Sequence, residues 1–258
     1  MTQTRSADWD YGELSARVYE LDKPVGKSLN GDVEFYSRRL AGTEGDILEP
    51  AVGTGRMLVP LVRLGLNVTG YDTSAHMLNI CRRNLDEAGL DADVFIGDMT
   101  SYVKPGAYEA VLVPTGSIVL LPDRSAAVEA LRLMHASLRP GGRLFVDLPP
   151  SRHFTDPGGL RHWQDGDDDL LTLQTMHVDV DPLGLRVVRW LRYELWRKGR
   201  LVETQLQNSG LLCFEVEEFL QVLHEAGFAD VTVYGDYDED AEAGADASIW
   251  TFEAVSTD

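Results

Sequence analysis

The stretch Asp46-Ile47-Leu48-Glu49-Pro50-Ala51-Val52-Gly53-Thr54-Gly55 reads as a short buried strand that ends on a carboxylate and runs straight into a glycine turn. Glycine lets the main chain approach a ligand closely, and the N–H groups at the start of the following helix point towards it. A turn of this kind commits the chain to an α/β unit able to seat a nucleoside-containing cofactor. By itself it could equally be a tight connection between a strand and a helix, so the order of the strands and helices after it has to decide.

Glu49 chooses between cofactors. A carboxylate at the strand tip repels a pyrophosphate but attracts a ligand that carries an α-ammonium and a sulfonium, which describes S-adenosylmethionine. The dinucleotide fingerprint also requires a third glycine three residues after the second, and that position is Leu58. An NAD-dependent oxidoreductase is therefore the weaker reading.

A helical pattern on Met57, Leu58, Leu61, Val62 and Leu64 leads to a second apolar run, Asn67 to Tyr71, ending at Asp72. This acid lies about 20 residues past the loop, where a nucleoside-binding unit places the carboxylate that accepts ribose hydroxyls. Thr73 and Ser74 suit the N-cap of the next helix, and Met77, one turn in, offers a soft thioether to an adenine face. Val94-Phe95-Ile96 is a third run, closed by Gly97-Asp98-Met99; an acid there can accept the exocyclic amine of adenine. The fourth run, Ala110 to Val113, ends in Pro114-Thr115-Gly116-Ser117, and the fifth, Arg143 to Asp147, follows a turn at Arg139-Pro140-Gly141-Gly142. Val128, Leu131, Met134 and Leu138 recur between them at helical spacing.

Taken in order, the Leu48–Gly55 loop, Gly70-Tyr71-Asp72, Gly97-Asp98-Met99 and Leu138–Leu144 make the chain resemble the class I S-adenosylmethionine-dependent methyltransferases over nearly its whole length. The family's first motif often has glycine where this chain has Pro50, which bears on the loop's shape more than on the cofactor. The resemblance implies a Rossmann-like α/β fold with a mostly parallel seven-stranded sheet, its last strand antiparallel, plus an inserted antiparallel β layer. It places Glu49 near the methionine ammonium, Ala51, Gly53, Thr54 and Gly55 under the ligand, and Asp72 with Thr73 on the ribose side. Met77, Gly97, Asp98 and Met99 fall at the adenine, and Thr115 at the methionine portion.

The formal net charge of -19 argues against a nucleic-acid substrate, which would need a basic face. The densest basic stretch, Arg186 to Arg200, alternates with Trp190, Tyr193 and Trp196 and reads as a half-exposed hairpin. Acidic runs at Asp165–Asp169 and Asp236–Asp240 read as solvated loops, and no metal site is expected. Cys81 and Cys213 lack metal or disulfide spacing and read as small core or surface residues. No membrane-length apolar run occurs, and Met1 to Ser6 lacks the apolar core of a signal peptide, so a cytoplasmic protein is expected.

The alternation of strand and helix stops near Pro149-Pro150. Leu171–Met176, Arg186–Glu194 and Leu201–Leu206 then read as β-runs joined by turns at Asp181-Pro182-Leu183-Gly184 and Lys198-Gly199-Arg200. Glu217 to Ala226 is a helix turning Phe219, Leu220 and Leu223 inward, followed by strands at Val231–Tyr234 and Ile249–Val255. The expected organisation is a helical lid at 1–40, a cofactor core at 41–150, a β insertion at 151–214 that meets substrate or a second subunit, and closing elements at 215–258.

The plan is similar to bacterial sugar N-methyltransferases that act on small molecules. By that resemblance Tyr11 and Tyr19 close over the cofactor and substrate, although aromatics on such a helix can instead pack on the core. His153, following the fifth strand, is the candidate base for a hydroxyl or ammonium acceptor, with Tyr11 and His162 behind it. It could equally be an exposed loop histidine. The expected activity is N- or O-methylation of a small molecule by a homodimer, with a non-catalytic cofactor-binding protein as the alternative.

Overall fold

A computed structural model of the chain describes residues 11–181, 183 and 185–256. The first ten residues of the expected lid, and Pro182 and Gly184 of the expected turn, lie outside the described residues.

Two helices open the described chain, α1 (Glu13–Asp22) and α2 (Asp32–Arg39). Strands and helices then alternate: β1 (Ile47–Pro50), α3 (Leu58–Arg63), β2 (Val68–Asp72), α4 (Ala75–Ala88), β3 (Val94–Ile96), β4 (Tyr108–Val113), α5 (Arg124–Ser137) and β5 (Leu138–Leu148). β1 is buried along its whole length, as a strand flanked by parallel neighbours must be. Ser74 caps α4, its hydroxyl accepting from the Met77 N–H at 3.3 Å, as its position in the sequence suggests. Leu64, expected inside a helix face, lies just past α3 and is exposed. The turn at Arg139–Gly142 appears as a bulge: Tyr108 pairs with Leu138 and Ala110 already with Arg143, while Gly141 takes a φ of 76°.

The inserted layer is a four-stranded antiparallel sheet, β6 (Arg161–Asp165), β7 (Asp169–Val180), β8 (Arg186–Arg197) and β9 (Arg200–Leu212). β6 is too short and too polar to stand out in the sequence. Two of the acids around its turn are held by ion pairs, Asp165 by Arg17 of α1 at 2.6 Å and Asp169 by Arg17 at 3.3 Å and by Arg197, while Asp167 and Asp168 are exposed as expected. Leu14 and Val18 of α1 pack on Leu171, Leu173, Tyr193 and Leu195, so α1 lies between the inserted layer and α4.

The main sheet closes with α6 (Val216–Glu225), β10 (Asp230–Gly235), β11 (Asp238–Glu242) and β12 (Trp250–Val255). Its order is β11-β10-β12-β5-β4-β1-β2-β3, with β12 antiparallel to both neighbours. Among the described residues it has eight strands, one more than expected. The extra strand comes from the run Asp236–Asp240, whose acids suggested a solvated loop. Here Asp236 and Tyr237 both take left-handed φ, turning the chain back on β10 and burying Tyr237.

Candidate active site

Open α/β sheets seat their ligands beyond the carboxyl ends of the strands, and a cavity of about 450 Å³ lies there. Its floor is Ala51, Gly53, Asp72, Thr73, Gly97, Asp98 and Met99 at the tips of β1, β2 and β3, with Met77 of α4 beside them. Its roof is Tyr11 and Tyr19 from the α1 segment together with Leu191, Tyr193, Gln207 and Ser209 from the inserted layer. The segment after β4 supplies the remaining wall through Ser117, Leu120, Leu121, Pro122 and Asp123.

The loop after β1 is shaped by its backbone. Ala51 and Gly53 have φ of 53° and 58°, and Gly55 has 83°. The departure from the glycine pattern therefore matters at Ala51, one residue beyond Pro50. Pro50 itself is tolerated because β4 pairs with β1 only at Ile47 and Leu48, leaving no ladder bond for Pro50 to lose on that side. At Gly55 any Cβ would come within 2.8 Å of the Cys81 sulfur, so this glycine lets α4 pack against the loop.

Asp72 organises the same loop. One of its oxygens accepts the Gly53 N–H at 3.0 Å and the other the Ser74 N–H at 2.8 Å, which aims the carboxylate along the cavity floor. Asp98 is oriented in a similar way by the Thr100 N–H at 2.8 Å and the Thr100 hydroxyl at 2.7 Å. Glu49, Thr54 and Gly55 lie just beneath this surface, not on the cavity lining. Glu49 is 2% exposed and its Oε2 has no hydrogen-bond partner, so burial pushes its carboxyl up to about 8 against the pull of Arg56. Asp32 and Asp72 push in the same direction as burial.

Arg56, which no sequence motif marks, neutralises part of this charge. Its guanidinium is 3% exposed, pairs with the fully buried Asp32 at 2.6 Å, and donates to Thr115 Oγ1 at 2.9 Å. Thr115 is therefore tied to the first loop without lining the cavity itself. Tyr11 and Tyr19 meet edge to face at 5.9 Å, and the Tyr11 carbonyl accepts the Ser74 hydroxyl at 2.6 Å. Burial, then Tyr193 and Tyr19, hold the Tyr11 hydroxyl well above its ordinary value, and burial pushes Tyr193 up to about 12.

His153 is a correction. It sits in a short 3-10 turn, Ser151–His153, that turns its side chain to the surface, and it does not line the cavity. His162 is exposed on the edge strand β6 and does not line the cavity either. The residues that line the cavity away from the strand tips include Tyr193, Gln207, Ser209, Asp123 and Arg186. Period-two alternation places Leu191 with Tyr193, and Gln207 with Ser209, on one face of β8 and β9, so pairing those faces would have found them. Nothing local marks Asp123 or Arg186, which meet the cavity only because the insertion folds over the core. No cluster of three or more His, Cys, Asp or Glu suited to a metal occurs among the described residues.

Residues 47–142, which include the first three strand tips and their loops, match the family described as "Methyltransferase domain". These residues form a methyltransferase domain. A Bacillus subtilis protein named as a putative methyltransferase, YqeM, is 26% identical over 216 residues, covering 82% of this chain and 84% of its own. The sugar N-methyltransferase KedS8 from Streptoalloteichus superposes with a TM-score of 0.75 at 21% identity, covering 96% of this chain and 95% of that one. The amino pentose methyltransferase CalS10 from Micromonospora echinaspora, solved with bound SAM, gives 0.71 at 18% identity, covering 96% and 98%. These superpositions cover 96% of this chain and so reach beyond residues 47–142, and the described residues share their fold.

Proposed function

We propose that the chain is an S-adenosylmethionine-dependent methyltransferase that methylates a nitrogen of a small molecule. The observation that carries the cofactor is Glu49, a buried carboxylate with an oxygen that has no partner among the described residues, beneath a loop in which Gly53 leaves the cavity floor open. An α-ammonium supplies the missing partner, while a pyrophosphate would raise the cost of burying this group. Asp72 would hold the ribose and Asp98 with Met99 and Met77 the adenine, with Gly53 beneath. Glu49 would face the ammonium, and Thr115 with Thr54 and Gly55 would support the methionine side.

When bound, the cofactor supplies a methyl group on a sulfonium, a good leaving group that needs no further activation. The chain's own residues then have to align the acceptor and exclude water. Tyr11 and Tyr19 do the covering, and Tyr193, Gln207 and Ser209 present hydroxyl and amide groups to an acceptor. None of the described residues lining the cavity is a histidine, lysine or cysteine, and the raised tyrosines hold their protons at neutral pH. A hydroxyl acceptor would have no strong base to take its proton. An amine needs only a weak base to free its lone pair and to take the proton released after attack, which the Asp123 carboxylate on that side of the cavity can provide, so the lining favours nitrogen.

The same reading puts the protein in the cytoplasm, where its unpaired Cys81 and Cys213 are ordinary, and no helix among the described residues is long and apolar enough to cross a membrane. It also takes the protein as a homodimer. Tyr193 is buried against its own chain, so the surface left for a second copy is the exposed apolar edge of β9 at Leu201, Val202 and Leu206. Light scattering of the wild type and of Leu206→Glu tests this.

The cofactor is tested by calorimetric titration with S-adenosylhomocysteine and with NADH. Binding of the first alone, lost in Asp72→Ala, is expected; binding of NADH alone would overturn the reading. Isotope-labelled S-adenosylmethionine offered with amine and phenol panels separates the acceptors, with label expected in amines.

A further inference from the structure

Asp147, at the end of β5, is fully buried and collects four donors from four parts of the fold. Tyr36 of α2 donates to Oδ1 at 2.6 Å and Thr251 of β12 to the same oxygen at 2.7 Å. Tyr237 donates to Oδ2 at 2.7 Å, and so does the Thr115 N–H at 2.7 Å. Burial pushes the carboxyl up and these donors pull it back. A satisfied buried carboxylate could be a packing device, but its fourth partner is unusual.

Thr115 has φ 60° and ψ 19°, a left-handed conformation that a β-branched residue adopts only when its surroundings impose it. The next residue, Gly116, is also left-handed, and a Cβ there would overlap the Pro149 ring. The strained pair turns the chain from the tip of β4 into Ser117, Leu120 and Leu121, which wall the cavity. Thr115 Oγ1 meanwhile receives Arg56, the group that faces Glu49. Tyr237 reaches Asp147 because Asp236 and Tyr237 form the left-handed turn that begins the extra strand β11.

We propose that Asp147 is a positioning residue: its carboxylate, fixed by Tyr36 and Tyr237, pins the Thr115 N–H and so sets the wall of the cavity and the seat of Arg56. The eighth strand then serves the active site from the far side of the sheet by delivering Tyr237. This rests on the methyltransferase reading for its consequence in binding, but not for the pinning itself.

The test uses Tyr237→Phe, which removes one donor and leaves the ring packing, with Asp147→Asn as the stronger variant. Hydrogen exchange of residues 114–121 is expected to speed up in Tyr237→Phe, and S-adenosylhomocysteine affinity to fall about ten-fold. In a Thr115→Gly background the same change should cost less than about two-fold, because glycine adopts the left-handed conformation without being held. A Tyr237→Phe protein with lower thermal stability but unchanged exchange over 114–121 overturns the proposal, as does full additivity with Thr115→Gly. If the wild type binds no S-adenosylhomocysteine but exchange still responds, the cofactor reading fails and the pinning stands.

Discussion

Glu49 makes the unliganded protein sensitive to pH in a way that the cofactor should reverse. Its carboxyl, ordinarily at 4.5, is held at about 8 by burial with an unpartnered Oε2. A raised folded-state value stabilises the fold fully below the unfolded value, and that contribution is lost as pH rises through the folded one. The window is therefore 4.5 to about 8. Above it the buried carboxylate costs about 5 kcal/mol relative to an unperturbed one. Between about pH 5.5 and pH 8.5 the loss of unfolding free energy from this group alone is about 3 kcal/mol. Urea melts at those two pH values should show that loss in the wild type and not in Glu49→Gln, which keeps the shape without the charge. Binding should run the other way. An α-ammonium at Glu49 favours the ionised form, so a proton must leave, and S-adenosylhomocysteine affinity should rise about fifty-fold from about pH 6 to pH 8. Calorimetry in two buffers of different ionisation enthalpy counts that proton directly. No proton released, together with identical pH profiles for wild type and Glu49→Gln, would refute the assignment of Glu49 to the ammonium.

Asp32→Ala strips the carboxylate that hydrogen-bonds the buried Arg56 guanidinium, and urea melts should show a loss of about 3–5 kcal/mol. Ala51→Gly relieves a left-handed alanine at φ 53° and should leave stability unchanged or raise it by up to about 1 kcal/mol, read from the same melts. Gly55→Ala, with its Cβ driven against Cys81, should instead destabilise and weaken S-adenosylhomocysteine binding by calorimetry. His153→Ala should leave methyl transfer within about two-fold of wild type, because this exposed side chain does not reach the cavity.

Much of the core was legible because its signals are local. A parallel strand buried on both faces is a short apolar run, and its last residue falls at the ligand-binding edge of the sheet, so the placing of Asp72, Asp98 and the loop after β1 at the cavity could be read from spacing alone. The placing of Tyr11 and Tyr19 at the cavity was legible only through resemblance, since an aromatic helix face looks the same whether it meets a cavity or a core. What failed was anything decided by tertiary enclosure. His153 looked suitable as a base because it follows β5, but a single 3-10 turn is enough to rotate it to the surface. The acids at Asp236–Asp240 are exposed as expected, but the loop is a strand: composition does not reveal two consecutive left-handed residues, and those residues create β11 and bury Tyr237 among the acids.

Tertiary enclosure also hides Asp147 from any local pattern. In the sequence it is the polar end of an apolar strand, Arg143 to Asp147, and strand ends are where a solvated acid is expected. Its burial depends on β12 running antiparallel beside it to bring Thr251, on α2 to bring Tyr36, and on the β10–β11 turn to bring Tyr237. These contacts span sequence separations of 104, 111 and 90 residues. A buried acid with that many partners is costly to leave half-satisfied, so the four contacts stand or fall together. Losing any one donor should therefore loosen the Thr115 turn more than its own bond would suggest, and the strain held at Thr115 is where that cooperativity becomes visible in function.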